Sequence, residues 1–146
     1  MSSTAPMIDK EAIARDMAQA LEGKMDQAKI DAAVQRLKSF STSYGASGSV
    51  WSAVLYMGFE VTINGGETFK GKAWGISLPG GGAFFGSVFT DDINALYANT
   101  ETFQFNGTAA WLNINFFDGH GNLLGNLQAG AVSTVLGMSG GSGSWS

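Results

Sequence analysis

The chain contains no cysteine, which removes disulfides, zinc–thiolate sites and thiol nucleophiles from consideration. No apolar run approaches the roughly 18 residues of a membrane-spanning helix. The first two dozen residues carry acids early and lack the uninterrupted apolar core of a secretory signal peptide. Basic residues are scarce along most of the chain: residues 41–146 hold only Lys70 and Lys72 against six acids. So few cations cannot neutralise many phosphates, so no nucleic-acid partner is expected. Simple electrostatic attachment to anionic lipid is equally unsupported. Charged residues make up 14% of the 146 and hydrophobic ones 45%, the balance of a globular protein with unusually little charged surface.

What is present divides into two compositional regions. Residues 1–40 hold six basic and six acidic residues but only one of the 21 glycines, Gly23, and none of the four tryptophans. Ile13, Met17, Ala20 and Leu21 recur at helical spacing behind "STAP", a capping sequence with an early proline. Gly23 offers a stop, and Asp26 can cap a second helix carrying Ile30, Ala33, Val34 and Leu37. The expectation is an α-helical hairpin over 1–40. "SFSTSYGASGS" then reads as a small-residue linker, with the boundary region at 41–49.

From residue 50 the period becomes two. In "VWSAVLYMGFEVTI" all seven odd positions from Trp51 to Ile63 are apolar, which predicts a half-buried strand, or one long strand bent at Gly58. "NGG" at 64–66 is a hairpin signal. "ETFKGKAWGISL", "AFFGSVF", "ETFQF", "TAAWLNINFF", "LLGNLQAGAVSTVLGM" and "GSGSWS" follow, separated by "PGGG", "FTDDINALYANT" and "DGHGN". Seven or eight short strands at this spacing imply a mainly β barrel or sandwich over 50–146. "ETFKGKAW" and "ETFQFNGTAAW" also echo one another, which two related halves would explain and so would chance in a chain this rich in Gly and Trp.

The segments "SAVLYMGFEVTINGGETFKGKAWGISLPGGG", "TDDINALYANT", "NINFFDGHGNLLG", "NLQAG" and "GGSGSWS" closely resemble the virulence-associated protein (Vap) family of rhodococci, in the same order and over about residues 50–146. The resemblance implies a closed eight-stranded antiparallel barrel of two Greek keys with a short connecting helix. It also implies a secreted, non-enzymatic protein of bacterial pathogenesis and host interaction, acting on lipid or on a host protein. Family members carry a signal peptide and a variable N-terminal region, whereas this chain opens with a predicted helical hairpin and no evident signal.

Each candidate site has a structural alternative. Asp91 and Asp92 form an acid pair, but "TDDINALYAN" is better read as a short helix capped by Thr90 or Asp91, with the neighbouring carboxylate favouring its N-terminus. Ile93, Leu96 and Tyr97 would then plug one barrel end. Asp118, His120 and Asn122 alternate like calcium ligands. However, Leu123 and Ala129 stand where such a loop needs its glycine and its closing glutamate, so a solvated turn is expected. No G-x-S-x-G elbow is present. "GGGAFFG" and "GGSGS" lack the Lys-Ser/Thr of a phosphate loop. "NGT" at 106–108 matches a glycosylation sequon. No catalytic residue, cofactor or metal is therefore assigned. Of the aromatics Trp51, Trp74, Trp111, Phe84, Phe85, Phe116 and Phe117, most should fill the barrel. The alternation sets Trp111 and Phe117 opposite Leu112 and Ile114. If the latter point inward, Trp111 and Phe117 are exposed, as candidate surface contacts, or lie under the hairpin. The alternative function is a barrel holding a small apolar molecule inside.

Overall fold

The computed structural model describes residues 9–74, 79–130, 132 and 136–146. Two helices come first, α1 (Lys10–Leu21) and α2 (Gln27–Ser39). The Asp9 side chain, not the STAP segment (which lies outside the described residues), caps α1 by accepting from the Glu11 N–H at 2.9 Å. Gly23, at φ +78°, supplies the left-handed turn that reverses the chain. Asp26 stands at the N-cap of α2, as expected, but makes no side-chain capping bond there.

Eight strands follow: β1 (Ser43–Ser52), β2 (Tyr56–Ile63), β3 (Thr68–Trp74), β4 (Gly80–Phe89), β5 (Thr102–Gly107), β6 (Trp111–Phe117), β7 (Leu123–Gly130) and β8 (Gly137–Trp145). A third helix, α3 (Ile93–Asn99), connects β4 to β5. All pairings are antiparallel, and the sheet closes in the order β1-β2-β3-β8-β5-β6-β7-β4. Each run of four strands thus has its fourth lying beside its first, β4-β1-β2-β3 and β8-β5-β6-β7, the order that two Greek keys require. The sequence echo does not mark this duplication. It relates β3, a third strand, to β5, a first one; what its two phenylalanines share is a ring contact, Phe69 to Phe103 at 5.5 Å.

Two boundaries differ from the sequence reading. The expected linker at 41–49 is mostly strand: β1 pairs with β4 from Ser43↔Phe89 to Ser52↔Gly80 and with β2 on its other side. Its inward positions Tyr44, Ala46, Gly48 and Val50 are small or mixed, so no hydrophobic alternation announced it. Gly48 cannot carry a side chain, because a Cβ there would run into the Glu60 carbonyl and the Phe84 ring. Conversely, the apolar run from Trp51 to Ile63 is two strands. The Ala53 N–H donates to the Tyr56 carbonyl at 2.8 Å and closes a turn that contains no Gly, Pro or Asn to signal it. The "PGGG" expected as a turn likewise runs straight into β4 at Gly80. Within "LLGNLQAGAVSTVLGM", β7 ends at Gly130 and β8 begins at Gly137; positions 131 and 133–135, like 75–78, lie outside the described residues.

The interior is filled by rings. Phe59 contacts Phe103 and Phe105 at 5.2 and 4.9 Å; Phe69 contacts Phe103, Phe116 and Trp145 at 5.5, 5.0 and 5.5 Å. Val61, Leu112, Ile114 and Leu127 complete this core. A second core lies outside the barrel. There Ile13, Ala14, Met17 and Leu21 of α1 and Ile30, Ala33 and Leu37 of α2 pack on Phe117 and Leu123. The hairpin therefore sits on the outer face of β5–β7.

Candidate functional site

The two carboxylates of the β4–α3 junction have separate hydrogen-bond partners. Asp92 is the N-cap of α3, its Oδ1 accepting from the Ala95 N–H at 3.0 Å. Asp91 turns away and accepts from the Ser41 and Thr42 N–H groups, both at 3.1 Å, so it ties down the chain leaving the hairpin. Those bonds, Ser41 first, hold the Asp91 carboxyl below its usual value. Thr90 is buried; its hydroxyl donates to the Leu124 carbonyl at 2.8 Å and accepts from the Asp92 N–H at 3.3 Å. The cap is thus Asp92 rather than Thr90 or Asp91. Leu96, fully buried, closes the barrel end with Ile93 and Tyr97, whose ring lies 5.4 Å from Trp145.

The "DGHGN" turn uses its donors and acceptors internally. Asp118 Oδ1 accepts from the His120 and Asn122 N–H groups at 2.8 and 2.9 Å, and Oδ2 from the Asn122 amide at 3.0 Å. Partial burial acts to raise the Asp118 pKa, but the Asn122 side chain and these N–H groups outweigh it and lower it. Asn122 Oδ1 accepts from Lys29 Nζ at 3.0 Å, a tie between hairpin and turn. Among the described residues no three His, Asp or Glu side chains converge as a metal-ligand group.

Trp111 and Phe117 do point outward, and they lie under the hairpin. Phe117 is 2% exposed within the second core, and Trp111 is half-buried against it. Of the other aromatics, Phe84 and Phe116 fill the barrel, while Trp51, Trp74 and Phe85 are exposed. Between Trp111 and Phe117 the same outward parity carries amides. Gln104, Asn115 and Asn126 face one another across β5, β6 and β7, and Asn106, Asn113 and Gln128 form a second row beside them. All six are buried. Asn126 donates to Asn115 at 2.6 Å, Asn115 to Gln104 at 2.9 Å and Gln104 to Asn106 at 2.8 Å. Asn113 Nδ2, Asn126 Oδ1, Gln128 Nε2 and the Trp111 indole N–H have no partner among the described residues. Each such buried group costs about 1–3 kcal/mol. Asn106 also belongs to the sequon, whose side chain is here enclosed. The alternation "QFN", "NIN" and "NLQ" shows that these amides share a parity; the hairpin above them leaves no such trace.

The barrel ends are chemically opposite. Glu67, Asp91, Asp92, Glu101 and Asp118 cluster in and beside the connections at the α3 end, whereas 51–59, 73–89, 102–117 and 121–146 contain no acidic or basic residue. At the uncharged end Val54, Leu55, Leu136 and Met138 are each more than half exposed, and Trp74 is 69% exposed. Trp51 and Trp74 flank Tyr56 at 5.2 Å each, and Lys72 Nζ lies 5.3 Å from the Tyr56 ring. A groove of about 530 Å³ descends from these rings past Lys72 and Lys70 to Glu60. The signal for this rim, visible only once the strands are paired, is that the sequences joining β1 to β2, β3 to β4, β5 to β6 and β7 to β8 all lack charge.

The comparisons bear on this architecture. The family model described as Rhodococcus equi virulence-associated protein matches residues 3–146. The structure of VapB from the intracellular pathogen Rhodococcus equi is 48% identical, with a TM-score of 0.69 over 72% of this chain and 96% of that one. VapD from the same organism is 44% identical, with a TM-score of 0.68 over 72% and 97%. No curated protein sequence matches. Sharing the matched family model across both the hairpin and the barrel, the chain belongs to the virulence-associated protein family of Rhodococcus equi.

Proposed function

We propose that the chain is a non-enzymatic, host-interacting virulence-associated protein that acts through the outside of its barrel, and that the uncharged rim is the surface it presents to lipid. The order of side chains down the barrel carries this reading. Val54 and Leu55 stand at the β1–β2 tip, Trp51 and Trp74 lie a step behind, and the charged Lys70, Lys72 and Glu60 come below them. Apolar tip, aromatic belt, then charge is the sequence met on leaving a bilayer. Exposed apolar patches of this kind mark membrane or protein contact. The carboxylates that looked like an acid/base pair have separate structural partners, which removes the motive for a catalytic reading. The alternative of an apolar molecule held inside has no comparable support, because the phenylalanine rings occupy that interior.

Co-sedimentation with phosphatidylcholine vesicles tests the proposal. The wild type is expected to sediment equally at low and high salt, since apolar contact is not screened. Val54→Asp with Leu55→Asp, both at an exposed turn and so nearly neutral for folding, is expected to abolish most of it. Binding that disappears at high salt, or that survives these substitutions, would reject the rim as the contact.

A further inference from the structure

The covered face of β5–β7 is chemically mismatched to its cover. Along β6 the outward side chains run Trp111, Asn113, Asn115, Phe117: an aromatic, two amides, an aromatic. The strand rise puts the two rings about 20 Å apart along the strand, with the two amide rows between them. The side chains that the covering helices bury, Ile13, Ala14, Met17 and Leu37 among them, are all apolar and offer no hydrogen bond. Among the described residues the side-chain hydrogen bonds of this face join Gln104, Asn106, Asn113, Asn115 and Asn126 to one another and Gln104 to the Phe105 carbonyl, and none involves Gln128. Asn113 and Asn126 are 0% exposed and Gln128 is 4% exposed, each with an unpartnered polar atom.

We propose that this amide face is a binding site for a neutral saccharide and that the α1–α2 hairpin is its releasable cover. Every amide offers donors and acceptors together, which matches hydroxyl groups, themselves both donor and acceptor. The face carries no charge, so it selects a neutral ligand. Trp111 and Phe117 provide apolar ring faces at either end for the C–H surfaces of sugar rings. The sheet face presents side chains rather than free backbone, which disfavours an extended peptide added as a strand. Release keeps the hairpin attached, because Asp91 holds Ser41 and Thr42 at the hinge. This site lies on a different face from the proposed lipid rim and does not depend on it.

The test uses the full-length protein and its Met17→Asp and Leu37→Asp variants, each placing a charge in the seat. Limited trypsin digestion reports opening, because six of the eight basic residues lie in the hairpin. Both variants are expected to be cut faster there while keeping a cooperative β melt. On an immobilised array of neutral oligosaccharides their apparent Kd is expected to fall by about tenfold or more relative to wild type, since a mostly closed site discounts affinity by its open fraction. Asn113→Ala with Asn115→Ala, added to an opened variant, is expected to abolish that gain. An opened hairpin with no glycan bound overturns the site, as does a gain that survives loss of both asparagines, or capture of arrayed peptides in place of glycans. Unchanged trypsin cleavage, or loss of the β melt in both variants, overturns the cover.

Discussion

Phe69, inside the barrel, and Asn113, beneath the hairpin, are both 0% exposed, yet their surroundings differ in kind. Phe69 meets three aromatic rings within 5.5 Å, within a sheet whose strands all pair on both edges. Asn113 has an amide nitrogen without a partner among the described residues, on the face over which the hairpin packs its apolar side. Burial is thus equal in extent but not in chemistry. A closed, ring-packed interior has no alternative arrangement of comparable energy, whereas apolar helices over amides leave polar groups that something else can satisfy. The barrel is the frame, and the hairpin is an added layer on one face of it.

That contrast can be broken or sharpened by experiment. The largest effect is expected at Phe69→Ala, about 3–5 kcal/mol for a large aromatic removed from a packed core, with the β and helical signals lost together in a chemical denaturation. Deleting residues 1–40 should come next: the barrel is expected to retain a cooperative β melt at a lower midpoint. The cut must stop there, because Ser43 already belongs to β1; disappearance of the melt would merge the two layers into one core. Asn113→Leu is expected to act in the opposite direction. Replacing the amide with an apolar group removes the unpartnered nitrogen and its cost of about 1–3 kcal/mol, while the two donors to its oxygen, Asn106 and Asn115, keep Gln104 as acceptor; tryptic cleavage within the hairpin should slow.

Smaller effects separate the two aspartates. Asp92→Ala removes the α3 cap and should lower barrel stability by about 0.5–2 kcal/mol, read as a lower melting midpoint. Asp91→Ala should leave α3 intact and instead speed trypsin cleavage near Lys38, because its partners are Ser41 and Thr42. Smallest of all is the pH effect. Asp91 and Asp118 are both lowered from 3.8, so their stabilisation is complete above the unfolded value and is lost only as pH falls through the lower folded ones. The melting differences between wild type and Asp91→Asn or Asp118→Asn should therefore stay constant from pH 7 to 5 and shrink below about pH 4.

Much of this was legible residue by residue. Gly23 and Asp26 bracketed the helical hairpin's turn, "NGG" placed the β2–β3 connection, and Leu112 and Ile114 against Trp111 and Phe117 separated the inner from the outer face of β6. Asp118 with Asn122 read correctly as a turn. The first strand was missed because serine, glycine and alanine at alternating positions look like a linker until neighbours on both sides supply its hydrogen bonds. The β1–β2 turn was missed because Ala53, Val54 and Leu55 continue the apolar parity across it by coincidence. The division between Asp91 and Asp92 was not readable either, since the groups that Asp91 holds lie fifty residues earlier in the chain.

Alternation, caps and turn residues follow from covalent geometry within a few residues, so the sequence by itself determined that a helical hairpin precedes a run of short strands, and which side chains share a face; that the strands are antiparallel was implied by the family resemblance. What covers each face is a different matter. Whether the amides of β5–β7 meet water or helices, and whether Val54, Leu55, Trp74 and Met138 gather at one end, depends on strand order and on the landing place of the hairpin. Those are set by packing between segments far apart in the chain, and only the tertiary structure decided them.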